Sequence, residues 1–410
     1  MTIRITPYDD SFSYKSANTS RDQFIDLCDG DGERIDITSY NGRDTTGMHD
    51  EPRNEAKTYN KSTDQRLRNT TEVSSTETIL NNFDTNCNEV TRVVFIKTHK
   101  TASSTLASIT QRFGYTRNLS FVVPSRYQII SNAYGFKRSM LNSTKYPPLN
   151  GGKHYDILTN HVGYDRHEME AVIPNATYIT ILRHPVQQLV SAFSYFAWGK
   201  AIGRYRGRNT NLITAFMEIP ELVQRRQLKL WWQSHNGQLY DFGFRTQYGN
   251  NEMDDLVHKY IEILDKEMDL VLITEYFDES LLIMKKQLCW SMDDILYISK
   301  GLGASHHIIT QQTRDKILNW NRGDLLFYQH FNRTLWEKII AYGPTFEKDL
   351  QEFRDKLEEL RKLCVDPSTM DTEDSREKKY ILKSNPSNRC SFFFFDDMSF
   401  TDLIRNKQMK

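Results

Sequence analysis

Several features that would assign a chain quickly are missing from this sequence. No run reaches the ~18 apolar residues that a membrane-spanning helix needs. The stretch from Met1 to Asp10 is polar and has no signal-peptide core. Neither charge dominates: Lys plus Arg and Asp plus Glu stand at 53 each, so no global charge points to nucleic acid. The five cysteines, Cys28, Cys87, Cys289, Cys364 and Cys390, show neither CxxC nor Cys/His metal spacing, and no metal is expected. Their odd number leaves at least one thiol unpaired or intermolecular in a secreted chain, and their pairing is not legible from spacing. No internal repeat is evident. The G-x-x-x-x-G-K-[ST] glycines of a Walker A loop are absent too, which weighs against an ordinary ATPase or GTPase.

What is present falls into three parts. Residues 1–88 are rich in Asp, Asn, Ser, Thr and Arg without sustained periodicity, which reads as a disordered or stem-like segment. Residues 89–365 alternate strand and helix patterns, with strands expected at Arg92–Ile96, Ser120–Val123, Tyr155–Thr159, Tyr178–Leu182 and Leu270–Thr274. That alternation predicts an α/β fold, a doubly wound and mainly parallel sheet with its loops along one edge. Thr310–Tyr342 reads as helix broken near Arg322-Gly323. A last helix after Pro344 carries Phe346, Leu350, Phe353, Leu357, Leu360 and Cys364, a rhythm that suits packing on the domain better than a coiled coil. Residues 366–410 turn polar and read as a tail, with the run Phe392–Phe395 expected as a strand or sticky contact. Asn-x-Ser/Thr sequons at Asn18, Asn60, Asn69, Asn118, Asn142, Asn175 and Asn332 lean toward a secretory lumen, although chance accounts for about half of them.

The chain is organised around Val93–Thr105. Four apolar residues, Val93–Ile96, run into Lys97, Thr98, His99, Lys100, Thr101, Ala102, Ser103, Ser104 and Thr105. Ser103 or Ser104 is expected to cap a helix that buries Leu106, Ile109 and Phe113. A helix N-terminus offers unpartnered N–H groups and partial positive charge, and here two lysines and several hydroxyls surround it. The expected guest is phosphate-like. A buried strand entering an amphipathic helix accounts for the apolar residues but not for the Lys/His/Ser cluster between them.

A second anion grip is expected at Tyr178–Phe196. There a strand ends at Arg183, Pro185 opens a helix, and Ser191 follows two turns on. Arg183 supplies a two-pronged donor and Ser191 a hydroxyl.

Together these stretches resemble the two donor loops of sulfotransferases that use 3′-phosphoadenosine 5′-phosphosulfate (PAPS). The wording Lys-Thr-His-Lys-Thr-Ala-Ser-Ser-Thr is similar to the Golgi galactose-3-O-sulfotransferase family. The resemblance extends through Leu272–Trp290 and Trp320–Asn332 and covers roughly Thr91–Cys364. It implies a P-loop-like sulfotransferase fold. It assigns Lys97, Thr98, Lys100, Thr101, Ala102, Ser103, Ser104 and Thr105 to the 5′-phosphosulfate end, and Arg183 with Ser191 to the 3′-phosphate. His184 stands where the wider family usually has Asp, which changes local charge. The resemblance further implies PAPS as co-substrate, a galactose-terminated glycolipid or glycoprotein as acceptor, and a Golgi membrane location. Golgi members carry an N-terminal anchor that this sequence does not show, so an anchor is expected upstream or has been lost.

Sulfuryl transfer needs cations for the leaving group and a base for the attacking hydroxyl. Lys100 is expected at the bridging oxygen. His161, just after a strand, resembles the histidine base of the uronosyl 2-O-sulfotransferases, and His99 is its competitor as base or as a sulfonate ligand. His154, His167 and His306-His307 read as surface or loop residues. Trp198, Tyr205, Trp231 and Trp232 suit stacking on a sugar, with core packing equally open for the last two beside Leu228 and Leu230. Arg204, Arg206 and Arg208 form a basic loop that suits an acidic acceptor or plain solvation. Alternative readings are a sulfotransferase for uronic acid or another glycan hydroxyl, and a P-loop nucleotide-binding protein or kinase.

Overall fold

In a computed structural model the described residues are 87–409, apart from 133, 203–210, 222–230, 245–252, 299–301, 304–308, 370–376, 379 and 385. The expectations for residues 1–86, which include Cys28, Asn18, Asn60 and Asn69, lie outside them, as do those for Arg204, Tyr205, Arg206, Arg208, Leu228, Leu230, His306 and His307.

Each of the five expected strands forms. They are β1 (Val93–Ile96), β2 (Phe121–Val122), β3 (Ile157–Leu158), β4 (Thr177–Leu182) and β5 (Leu270–Ile273). All pair in parallel, in the order β2-β3-β1-β4-β5. Strands buried on both faces read as unbroken apolar runs, and β1 and β5, every residue of which is buried, show this. The central β1 puts Val93 opposite Ile157 on one side and Thr177 on the other. The fold is α/β, an all-parallel sheet flanked by helices. Such sheets place their ligand crevice beyond the carboxyl ends of the strands.

The helices used below are α1 (Ser103–Thr116), α2 (Pro185–Tyr195), α3 (Gly237–Asp241), α4 (Met253–Glu267), α5 (Phe277–Leu288), α6 (Gln311–Trp320), α7 (Arg322–Tyr342), α8 (Phe346–Cys364) and α9 (Asp397–Gln408). α1 buries Leu106, Ile109 and Phe113 against the sheet core. α2 begins with Pro185 in its first turn and buries Val186, Leu189, Val190 and Phe193. Those four residues join Trp198, Phe216 and Ile317 in a second apolar cluster. Trp198, 1% exposed, is therefore a core residue and not a platform for a sugar. The break expected near Arg322-Gly323 falls at Asn321, between α6 and α7. α8 buries all six of its rhythmic residues and packs against α5.

Two details differ from the sequence reading. Phe392–Phe395 forms no strand; Asn388–Phe394 is a short helix, with the Arg112 guanidinium 4.3 Å from the Phe393 ring centroid. The polar stretch beyond Pro367 contains α9, which lies along α1 and buries Phe400, Thr401, Ile404 and Gln408. Among the described residues two disulfides form. Cys87–Cys289 ties the lead-in of the domain to the end of α5, and Cys364–Cys390 ties α8 to the segment before α9.

Candidate active site

β1, β3 and β4 end side by side, so the segments that follow them meet at one sheet edge. After β1 the chain turns sharply: Lys100 and Ala102 both adopt left-handed φ, 63° and 61°. The expected serine cap is not used. Ala102 is the N-cap, and no side chain caps α1. Ser103 Oγ instead donates to the Thr98 carbonyl. The buried Thr98 Oγ1 donates to the Ile181 carbonyl of β4, and Thr101 Oγ1 lies 2.7 Å from it. Thr98, Thr101 and Ser103 thus spend their hydroxyls on the shape of the turn. Ser104 and Ala102 are exposed beside it, and Thr105 is half-buried. The first turn of α1 is therefore without a side-chain cap.

Arg183 and Lys100, one from each stretch read as an anion grip, lie close together. Arg183 Nη1 donates to the Lys100 carbonyl at 3.3 Å. Lys100 Nζ sits 3.7 Å from the ring centroid of Tyr195, on α2. Burial, and then the nearby Arg183 charge, lowers the Lys100 pKa to about 8. Burial likewise lowers that of Arg183. Two half-buried cations this close favour an anion that is shared between them. Ser191 lies half-buried on α2.

His99 and His161 also meet. Their rings stack with centroids 4.1 Å apart and planes 19° apart. Asp241, at the end of α3, accepts from the His99 backbone N–H at 2.8 Å, and its carboxylate lies 2.9 Å from His99 Nδ1. His161 Nδ1 lies 3.1 Å from the Lys97 carbonyl. A carbonyl only accepts, so Nδ1 carries the proton and Nε2 keeps its lone pair. Burial first, then the neighbouring His99 and Lys97, holds the His161 pKa well below 6.5. The backbone of His161 is clamped as well: it accepts from Ile130 N at 2.9 Å and donates to the Gln128 carbonyl at 3.3 Å. Two residues on, Gly163 donates to the Tyr134 carbonyl at 3.2 Å, and a Cβ there would meet that oxygen at 2.9 Å.

Several partners of the site were not singled out from sequence. Gln238 on α3 accepts from Arg183 N and donates to the Arg183 carbonyl, both at 2.8 Å. Gln188 donates to the His99 carbonyl at 3.3 Å. Thr274 Oγ1 lies 2.8 Å from the Thr101 carbonyl and 2.9 Å from that of Leu182. Glu275 accepts from His184 N at 2.9 Å, which sets a carboxylate beside the turn that follows β4. Single Gln, Thr or Glu residues near strand and helix ends are all that marks them in sequence. Lys97 is not aimed at solvent: its side chain, 2% exposed, pairs with Asp397 of α9. Trp232 stacks on Tyr240 with centroids 5.7 Å apart. His154 and His167 are exposed.

The family profile described as Galactose-3-O-sulfotransferase matches residues 57–395. The chain belongs to this family. It is 30% identical over 281 residues to the galactosylceramide sulfotransferase of Bos taurus, a match covering 67% of this chain and 64% of that protein. It is 30% identical over 285 residues to galactose-3-O-sulfotransferase 2 of Mus musculus, covering 67% of this chain and 70% of that protein. With galactose-3-O-sulfotransferase 3 of Homo sapiens it shares 31% over 321 residues, covering 74% and 70%. The match thus spans slightly under two thirds of the bovine galactosylceramide sulfotransferase.

Proposed function

We propose that this chain is a PAPS-dependent galactose 3-O-sulfotransferase acting on terminal β-galactose of a glycolipid or glycoprotein in the Golgi lumen, through a P-loop-like sulfotransferase fold. One observation supports the reading: Arg183 reaches the Lys100 carbonyl, which brings two cations together in a chain of this family. The uncapped start of α1 beside them fits a donor with two phosphate ends.

When bound, PAPS supplies an activated sulfonate and a phosphate leaving group. Lys100 and the first turn of α1 hold the phosphosulfate end, and Arg183 with Ser191 holds the 3′-phosphate. His161 Nε2 takes the proton of the galactose 3-hydroxyl as that oxygen bonds to sulfur and the bond from sulfur to the bridging oxygen breaks. Lys100 stabilises the charge left on the bridging oxygen, and the products are the sulfate ester and adenosine 3′,5′-bisphosphate. His99, oriented by Asp241, lies against His161 and is the alternative base.

Transfer of labelled sulfate from PAPS to a panel of galactosides and uronosyl glycans tests the proposal. Product on a β-galactoside 3-hydroxyl supports it, and no transfer to any galactoside overturns the acceptor. Thermal protection by ATP but not by adenosine 3′,5′-bisphosphate would favour a kinase. Near-normal turnover in His161→Ala with loss in His99→Ala would move the base to His99.

A further inference from the structure

The matched family residues end at 395, and α9 begins two residues later. Yet α9 reaches the heart of the site. Asp397 pairs with Lys97 Nζ, a contact in which the two side chains are 2% and 12% exposed. Its carboxylate also lies 3.5 Å from Ser104 Oγ at the start of α1. One turn along, Thr401 Oγ1 donates to the Asp397 carbonyl and accepts from Asn160 Nδ2 at 3.0 Å and from Gln111 Nε2 at 3.1 Å. Asn160 precedes His161, and Lys97 is the residue whose carbonyl holds the His161 ring. The far end of α9 is anchored too: the Gln408 amide accepts from Phe121 N at 2.6 Å and donates to the Phe121 carbonyl at 3.0 Å, completing the edge strand β2.

We propose that Asp397 is a positioning residue for sulfonate transfer, acting through Lys97 on His161. A lysine buried without a partner would be expelled or would lose its proton. The Asp397 carboxylate lets Lys97 stay inside, and the Lys97 backbone then presents its carbonyl to His161 Nδ1. Thr401 fixes the other flank through Asn160. Held at both ends, His161 keeps one tautomer and one ring orientation, with Nε2 free to accept a proton. It follows that Lys97 is already matched by a carboxylate, so Lys100 and Arg183 carry the positive charge offered to the donor.

The inference rests on the proposed transfer activity for its kinetic arm only. In the full chain, kcat, the Kd for adenosine 3′,5′-bisphosphate and the His161 tautomer (from long-range proton–nitrogen NMR) are compared for wild type, Asp397→Ala, Asp397→Asn and Asp397→Glu. Expected are a kcat lower by about 10- to 100-fold in Asp397→Ala, an unchanged Kd, a mixed His161 tautomer, and partial recovery of both signals in Asp397→Glu. Wild-type kcat with a single Nδ1–H tautomer in Asp397→Ala overturns the proposal. So does a loss of kcat that leaves the tautomer unchanged, since that is the mark of a merely structural contact. If Asp397→Ala does not fold, Asp397→Asn and Thr401→Val give the same readings with smaller perturbation. If wild type transfers sulfate to no acceptor, the functional reading fails, and the tautomer comparison still decides the role of Asp397.

Discussion

The imidazoles of His99 and His161 lie face to face, 4.1 Å between centroids, each held at Nδ1 by a different kind of partner. Asp241 holds His99 with a carboxylate, and Lys97 holds His161 with a carbonyl. Burial and the neighbouring ring both disfavour a proton on His161, whose Nδ1 partner is a carbonyl rather than a carboxylate.

A pH profile follows. Burial, then His99 and Lys97, keeps the His161 pKa well below 6.5, so the free base persists into mildly acid solution. The acid limb of kcat/KM is expected below pH 6.5, where an unperturbed histidine would already be protonated. Stability has a matching sign. The unfolded chain takes up this proton near pH 6.5 and the folded one does not, so the contribution is intact above that pH and is lost as pH falls below it. Urea titrations between pH 7 and 5 should show a smaller loss in His161→Gln than in wild type.

Lys100 gives a prediction at the other end of the scale. With its pKa lowered to about 8 by burial and by Arg183, it sheds its charge just above neutrality. Affinity for adenosine 3′,5′-bisphosphate should weaken by up to about tenfold per pH unit above 8, because only the protonated lysine attracts the anion. Lys100→Met should bind more weakly at pH 7 and lose that dependence. Calorimetry from pH 7 to 9.5 checks both points.

The sheet and the loop after β1 were legible because period and composition change abruptly at Lys97: β-branched residues end and basic and hydroxylic ones begin. The position of Arg183 was legible for the same reason, just after β4 and two residues before a helix-opening proline. The partners of these residues were not. Asp241, Gln238, Thr274 and Asp397 are single polar residues in unremarkable surroundings, brought to the site only by tertiary packing. α9 shows the limit most clearly. Its polar composition suggested a tail, yet Phe400, Thr401, Ile404 and Gln408 supply one buried face, and that face is recognisable only once α1 is there to receive it. Hydroxyl roles were also hidden, since sequence does not tell whether a threonine faces a ligand or, like Thr98, a neighbouring strand.

Asp324 is the residue whose loss should do most harm at a distance. Buried at the start of α7, it accepts from Gln238 N at 3.0 Å and Leu239 N at 2.9 Å, and so seats α3. α3 in turn carries Gln238 to the Arg183 backbone and Asp241 to His99. Asp324→Ala leaves two buried N–H groups without an acceptor, which should cost about 2–4 kcal/mol. The urea midpoint should fall accordingly, and affinity for adenosine 3′,5′-bisphosphate should fall with it. A variant that loses stability but keeps wild-type affinity would show that Arg183 is held without α3.

The Cys364–Cys390 bridge lets the placement of α9 be tested without touching the site. It spans 26 residues and joins the buried end of α8 to the segment that delivers Asp397. Closing a loop of that length removes enough freedom from the unfolded chain to contribute about 3–4 kcal/mol, in a chain-entropy account. Cys390→Ser should therefore lower the urea midpoint by a corresponding amount, and dithiothreitol should lower it more in wild type than in the variant, because among the described residues wild type has both bridges to lose and the variant only Cys87–Cys289. The Lys97–Asp397 pair does not depend on the bridge for its chemistry, only for the rate at which α9 detaches. Proteolysis should consequently cut the variant first between α8 and α9 and leave the sheet intact. Protection of that segment equal to wild type would mean that Gln408 and Thr401 hold α9 in place unaided.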